Sequence, residues 1–188
     1  MSEPDELVER LRGDSAAFDA VYDQHRARIF SFLARLTGRR SLAEELLQET
    51  FLRLCRFAPR LAPDTRLKLW LYTVARNLAR SHFRRTILDA ERVGSLGEPE
   101  PSPFDMTSAR ELERAVECAL QRMPIEQREL LILIAVERMP SADVAVMLGL
   151  SPAALRQRLS RARKLLAAAI AREGVDPGAY GEVVNDDA

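Results

Sequence analysis

From Arg156 to Arg172 the chain carries arginine and lysine with no acidic residue among them. Just ahead, Ser151 supplies a hydroxyl that can cap a helix, and Pro152 suits the first helical position. At 100° per residue, Leu155, Leu159, Ala162 and Leu166 fall on one side of such a helix. Ala153, Gln157, Ser160, Arg161 and Lys164 fall on the other, flanked by Arg156, Arg158 and Arg163. That outer side has the chemistry of a major-groove reader: Gln pairs bidentately with adenine, Arg with guanine, and the flanking cations hold phosphates. The N-terminus of the helix adds donors for a backbone phosphate. A solvated basic helix would have the same composition. The short helix opened by Ser141 and the turn at Gly149 complete a helix-turn-helix order, which favours duplex DNA.

A second block, Arg76 to Arg85, is also basic without an acid. In a helix capped by Asp64 and reaching Arg84 or Arg85, Leu67, Leu71, Val74, Ala75 and Leu78 form the buried stripe. Tyr72, Thr73, Arg76, Asn77, Arg80 and Arg84 face away, with Trp70 and Phe83 near the edges. Aromatic rings mixed with guanidinium planes suit single-stranded nucleic acid, because bases stack on both while the charges track the backbone. Taken singly, Trp70 and Phe83 also fit a core.

A third face follows Ser41-Leu42-Ala43-Glu44, which matches a capping box. Its helix sends Leu47, Thr50, Leu54 and Phe57 inward and presents Glu45, Gln48, Glu49 and Arg56 around Leu52. An apolar anchor inside a charged rim is how a small protein-docking surface is built. A single exposed leucine is also ordinary, so the residues alone leave this face open.

Helices must position all three faces, and the composition supplies them. Among 188 residues, hydrophobic types make up 47% and aromatic types only 6%, with 30% charged, so the core is aliphatic. The fold class expected is all-α: two small helical domains joined by a flexible acidic linker, the C-terminal one containing the helix-turn-helix. The first domain covers residues 1–85, with helices from Phe18 to Leu36 (closed by Gly38), from Ser41 to Phe57 and from Asp64 onward, and a loop bracketed by Pro59 and Pro63. The linker, 86–107, is rich in Gly, Pro and acids and cannot bury enough apolar surface to fold alone. The second domain, 108–173, holds helices from Ala109 to Met123, from Pro124 (first position) to Glu137, from a Ser141 cap to Gly149, and from Pro152 to Arg172. A flexible tail takes 174–188.

Other chemistries find no residues to carry them. Cys55 and Cys118 lie far apart and the only histidines are His25 and His82, so there is no disulfide framework and no metal-ligand spacing. No nucleophile–base pair or phosphate loop appears; no catalytic residue, metal or cofactor is expected. The formal net charge is zero, yet acids gather at the start of the chain and cations in the two basic blocks, which is what phosphate contact requires. The acidic start, Glu3, Asp5 and Glu6, is the reverse of a signal peptide, and no run reaches membrane-span length. A cytoplasmic location without membrane insertion is expected.

Four segments resemble the extracytoplasmic-function (group 4) sigma factors of the sigma-70 family. Ala43-Glu44-Glu45-Leu46-Leu47-Gln48-Glu49-Thr50-Phe51 is similar to their polymerase-binding segment. Trp70-Leu71-Tyr72-Thr73-Val74-Ala75-Arg76-Asn77, ending in Arg84-Arg85, is similar to their promoter-melting helix. Met123-Pro124-Ile125-Glu126-Gln127-Arg128-Glu129-Leu130-Leu131 and Leu148-Gly149-Leu150-Ser151-Pro152, continued by Arg158-Leu159-Ser160-Arg161-Ala162-Arg163, are similar to the entry and recognition helices of the C-terminal sigma domain. Each pattern alone is weak; four in order from Asp14 to Arg172 are specific.

The resemblance implies an alternative sigma factor that binds core RNA polymerase, recognises −10 and −35 promoter elements and initiates transcription of a regulon under the control of an anti-sigma factor. Glu45, Gln48, Glu49, Leu52 and Arg56 would dock on the clamp helices of the largest polymerase subunit, and the second domain on the flap. Arg60, Trp70, Tyr72, Thr73, Arg76, Asn77, Arg80, Arg84 and Arg85, with the loop from Phe57 to Leu67, would open the −10 element and hold a flipped base of the single strand. Ser151, Arg156, Gln157, Arg158, Ser160, Arg161, Arg163 and Lys164 would read the −35 duplex. The acidic linker would thread toward the RNA exit path.

Departures from the family pattern are local. Glu45 replaces the usual Asp and keeps its carboxylate. Ala154-Leu155 replaces Thr-Val and loses a phosphate contact, and Gln157 stands where a small hydroxyl residue is common, which alters the −35 bases read. The helix from Ser141 is less polar than usual, so Val146 and Met147 are expected to face a partner. Two alternatives stay open: a sigma mimic that titrates an anti-sigma protein, and an ordinary helix-turn-helix regulator. A mimic should lose the basic DNA faces, whereas Arg76, Arg80, Arg84, Arg156, Arg161 and Arg163 are all present.

Overall fold

The computed structural model describes Val8, Leu11, residues 14–93 and residues 111–172, with side chains through Thr86 and from Ala115. The expectations for the linker beyond residue 93, the tail 174–188 and the acidic start lie outside the described residues. The chain forms two compact units, one on either side of that interval. Every regular element among the described residues is helical.

The first unit packs three helices: α1 (Ser15–Thr37), α2 (Arg40–Phe57) and α3 (Leu67–Val93), with a 3-10 turn at Ala58–Arg60. Asp14 caps α1, its carboxylate accepting the Ala16 N–H at 2.9 Å. Gly38 closes α1 at φ 70, a left-handed conformation that glycine adopts without steric cost. Thr37 holds the corner that follows: its hydroxyl lies 2.8 Å from the Leu33 carbonyl and accepts the Arg39 N–H at 3.3 Å. Ile29, Phe32, Leu33 and Leu36 of α1, Leu54 of α2, and Leu71, Tyr72, Ala75 and Ala79 of α3 are fully or almost fully buried.

Two expected caps of this unit do not form. The Ser41 capping box does not form. The cap residue of α2 is Arg39, whose carbonyl accepts the Ala43 N–H at 3.0 Å, so Ser41 already lies inside the helix. Glu44 pairs instead with Arg40, 3.0 Å away. Asp64 does not cap α3 either. Ala62 to Thr65 make a β-turn closed by the Thr65 N–H on the Ala62 carbonyl (2.9 Å), with Pro63 at its second position, and the helix begins at Leu67. α3 then continues to Val93, past the expected boundary at residue 85.

The second unit comprises α4 (Glu111–Arg122), α5 (Ile125–Leu131) with a π-helical turn over Ile132–Val136, α6 (Ser141–Leu148) and α7 (Pro152–Arg172). Ala119, Leu120, Met123 and Leu131 pack against Ala162, Leu166 and Ile170 of α7. Pro124 is the cap of α5 and not its first helical residue, and Pro140 takes the cap position of α6 in place of Ser141. The end of α4 is closed from within. The buried Arg128 guanidinium donates to the backbone carbonyls of Gln121 (2.6 Å) and Met123 (3.0 Å) and to Gln121 Oε1 (2.8 Å). Those bonds occupy carbonyls that a helix end leaves unpaired. Burial lowers the Arg128 pKa to about 10, and the guanidinium stays charged at neutral pH.

Candidate nucleic-acid interface

The turn before α7 sets the aim of that helix. Gly149 stands at φ 65 with its N–H 3.2 Å from the Val146 carbonyl, and the Leu150 N–H reaches the Ala145 carbonyl at 2.9 Å. The Ser151 hydroxyl then accepts the Ala154 N–H at 3.2 Å, the expected cap. Leu155, Ala162, Leu166 and Ile170 bury one side of α7, and Leu159 is half-buried beside them. The other side is open: Ser151, Ala153, Arg156, Gln157, Arg158, Ser160, Arg161 and Lys164 are exposed. Among the described residues, Arg156, Arg158, Arg161 and Lys164 make no ion pair, so the charge of this face is uncompensated. Arg163 is the exception. It is half-buried, with its Nε shielded from solvent.

On α3 the outward face is narrower than the sequence reading had it. Tyr72 does not belong to it: the side chain is fully buried, edge-on to Phe32. The stripe that α3 buries runs along Leu67, Leu71, Tyr72, Ala75, Leu78 and Ala79, and Val74 is only half-buried. Asn77, Arg84 and Arg85 are exposed, whereas Trp70, Thr73, Arg76 and Arg80 are half-buried. The Thr73 hydroxyl donates to the Leu69 carbonyl at 2.8 Å, and Arg76 donates to Asn77 Oδ1 at 3.0 Å. Arg60, in the 3-10 turn, is exposed. Burial first, then Arg39 and Arg85, hold His82 below its ordinary pKa, against the pull of Glu45.

Phe57, expected inside, is 45% exposed and lies 6.5 Å from the Trp70 ring, tilted by 56°. Its place in the core goes to Ala58, which is 2% exposed, because the 3-10 turn re-aims the chain as α2 ends. The two rings thus gather at the mouth of the loop that joins α2 to α3. Pro59, directly after Phe57 and Ala58, was the signal that the helical period stops there.

The outward side of α2 carries Leu52 among polar residues. Leu52 is 50% exposed, with Glu45, Gln48 and Arg56 exposed around it. Glu49 is half-buried and accepts a hydrogen bond from Arg53 Nε at 2.9 Å. That bond holds its carboxyl below the ordinary value and keeps it charged. On α6, Val146 is 75% exposed, but Met147 turns inward with Val144 and is buried. Cys55 is exposed and Cys118 half-buried, and the described residues contain no group of side chains able to hold a metal ion. No described helix is long and apolar enough to cross a membrane.

Both units match known sigma families. Residues 21–86 match the family described as Sigma-70 region 2, and residues 113–166 match Sigma-70, region 4. The RNA polymerase sigma factor CarQ of Myxococcus xanthus is 36% identical over 158 residues, which cover 82% of this chain and 90% of that protein. The ECF RNA polymerase sigma factor EcfG of Rhodopseudomonas palustris is 33% identical over 149 residues, covering 78% of this chain and 81% of its own length. Among solved structures, the sigma factor RpoE of Bartonella quintana, crystallised with the anti-sigma factor NepR, superposes with a TM-score of 0.73 at 22% identity. The match covers 82% of this chain and 96% of that one, and at such identity it speaks for the fold alone.

Proposed function

Because the chain belongs to the extracytoplasmic-function sigma factors of the sigma-70 family, and is by that membership a transcription-initiation subunit and not an enzyme, we propose the following assignment of its faces. The α2 face around Leu52 docks on the clamp helices of core RNA polymerase, with the second unit on the flap. The outward residues of α3, Asn77, Arg84 and Arg85 with half-buried Arg80, follow the −10 backbone, and the Phe57–Trp70 corner with Arg60 faces the single strand that opens there. The outer side of α7 reads the −35 duplex, Gln157 and Arg161 at base edges and Arg156, Arg158 and Lys164 at phosphates.

The observation that carries this reading is the open side of α7. A helix whose exposed cations have no carboxylate partner, placed behind a tight left-handed turn, is an electrostatic surface waiting for phosphates. The exposed apolar side chains on both units, Leu52 and Phe57 on one, Val136, Val146 and Leu165 on the other, support an anti-sigma factor as a further partner. Such a partner would cover them while the protein waits in the cytoplasm.

The test is run-off transcription from fragmented genomic DNA with purified core polymerase, mapping RNA 5′ ends with and without the protein. New start sites sharing two upstream motifs are expected. No new starts, together with capture of an anti-sigma domain, would replace this reading by that of a titrating mimic.

A further inference from the structure

Between the π-helical turn and α6, the chain places a long cationic side chain where glycine would be at ease. Arg138 stands at φ 48, and it is the one non-glycine residue at positive φ among the described residues. In this conformation Cβ crowds the neighbouring carbonyl, and an arginine has no side-chain means of relieving it. The corner itself is tightly bonded. The Glu137 N–H reaches the Ile132 carbonyl at 2.9 Å and the Met139 N–H reaches that of Leu133 at 3.0 Å. These bonds impose the left-handed step whatever residue fills it.

What the step does is sort charges. Glu137 before Arg138, and Asp143 in the first turn of α6, are both buried, each at 8% exposure, and Met139 is buried as well. Arg138 is exposed, and makes no ion pair among the described residues. The carboxylates of this corner are turned in and its cation is turned out. A strained residue that the surroundings hold in place is a reason to look for function.

The corner lies at the start of the first helix of the helix-turn-helix, and in such units that helix crosses the phosphate backbone while the second enters the groove. We propose that Arg138 is a backbone-phosphate contact of the upstream duplex, separate from the α7 face, and that its left-handed conformation is retained at the expense of stability for this purpose. The inference rests on the −35 role given to α7. A contact of this kind adds affinity without base preference and anchors the unit on the strand that α6 crosses.

The test uses the full chain bound to core polymerase and a duplex carrying the upstream motif of a mapped promoter, titrated over a range of salt. Arg138→Gly should weaken binding several-fold, equally on matched and scrambled upstream motifs, and lower the slope of log K against log salt by about 0.9, one phosphate's worth. The same substitution should raise the thermal midpoint of the free protein, because glycine accepts this φ. Arg138→Lys should keep the slope. An unchanged slope for Arg138→Gly overturns the contact, and a lowered midpoint overturns the claim that stability is surrendered. If the unaltered holoenzyme neither binds nor initiates on the mapped promoter, it is the sigma assignment that falls, an outcome distinct from both.

Discussion

The ring of Tyr72 meets that of Phe32 edge-on, with centroids 5.3 Å apart and planes at 61°, and neither side chain is exposed to solvent. This pair joins the middle of α3 to α1 and so fixes which side of α3 is left outward. The geometry is the favourable one for two aromatic quadrupoles. Tyr72→Ala should therefore cost about 3–5 kcal/mol in urea unfolding, as loss of a buried aromatic does. Tyr72→Phe keeps the ring and should open a promoter as the parent does. Loss of opening in a stable Tyr72→Phe variant would return the hydroxyl to the DNA face.

Leu52 is the apolar centre of the α2 face, half exposed among Glu45, Gln48 and Arg56. Replacing it by Asp removes no core contact, so the unfolding midpoint should hardly move. At an interface centre, such a change costs on the order of 2 kcal/mol, roughly thirtyfold in affinity. Competition for core polymerase against the unaltered protein measures it. Equal competition by Leu52→Asp would exclude this face from docking.

Acid should weaken the first unit through its two histidines, the only ones in the chain. Burial first, then Lys68 and Arg28, hold His25 below its ordinary pKa; burial, Arg39 and Arg85 do the same for His82. In the unfolded chain both take protons near their ordinary value of about 6.5. As pH falls through that value, the unfolded state gains protons before the folded one, and stability falls. Above about pH 7.5 both states carry neutral imidazoles and the effect vanishes. The urea midpoint should drop between pH 7.5 and 5.5, and the double variant His25→Gln, His82→Gln should be flat over that window. A parent midpoint that is level or rises on acidification would show that these environments do not oppose the charge.

Much of this architecture is legible in the residues, for identifiable reasons. The long apolar periods of α1, α2 and α7 survive because each buries one continuous stripe, and Gly38 and Gly149 sit where only a left-handed residue could end the helix. Caps were the weak point. Ser41, Asp64 and Ser141 each offer a capping side chain, yet a neighbouring backbone bond or proline fixes the helix start one to three positions away. At the site, the period placed Gln157, Ser160, Arg161 and Leu52 on the outside but misplaced Tyr72 and Phe57. Tyr72 lies one step from Leu71, and both enter the core because α1 offers Phe32 to the Tyr72 ring. Arg138 left no trace, since nothing in its identity announces a positive φ.

Arg161 tests the reading of α7 most directly. It lies on the exposed side, in the third turn of α7, between exposed Arg158 and Lys164, and makes no ion pair among the described residues. Arg161→Glu leaves Leu155, Ala162 and Leu166 untouched, so the second unit should stay folded. The substitution removes a donor pair for guanine and sets a carboxylate against the groove, where loss of one bidentate contact alone costs about 1–3 kcal/mol. Initiation from promoters that depend on the upstream motif should fall at least tenfold, while affinity for core polymerase, which the proposal gives chiefly to α2, stays within about twofold. Abortive-transcript counting on matched and scrambled upstream motifs, alongside polymerase competition, separates the two. Equal loss of initiation and polymerase affinity would show that α7 faces the polymerase and not the DNA, and would overturn the assignment of both helices.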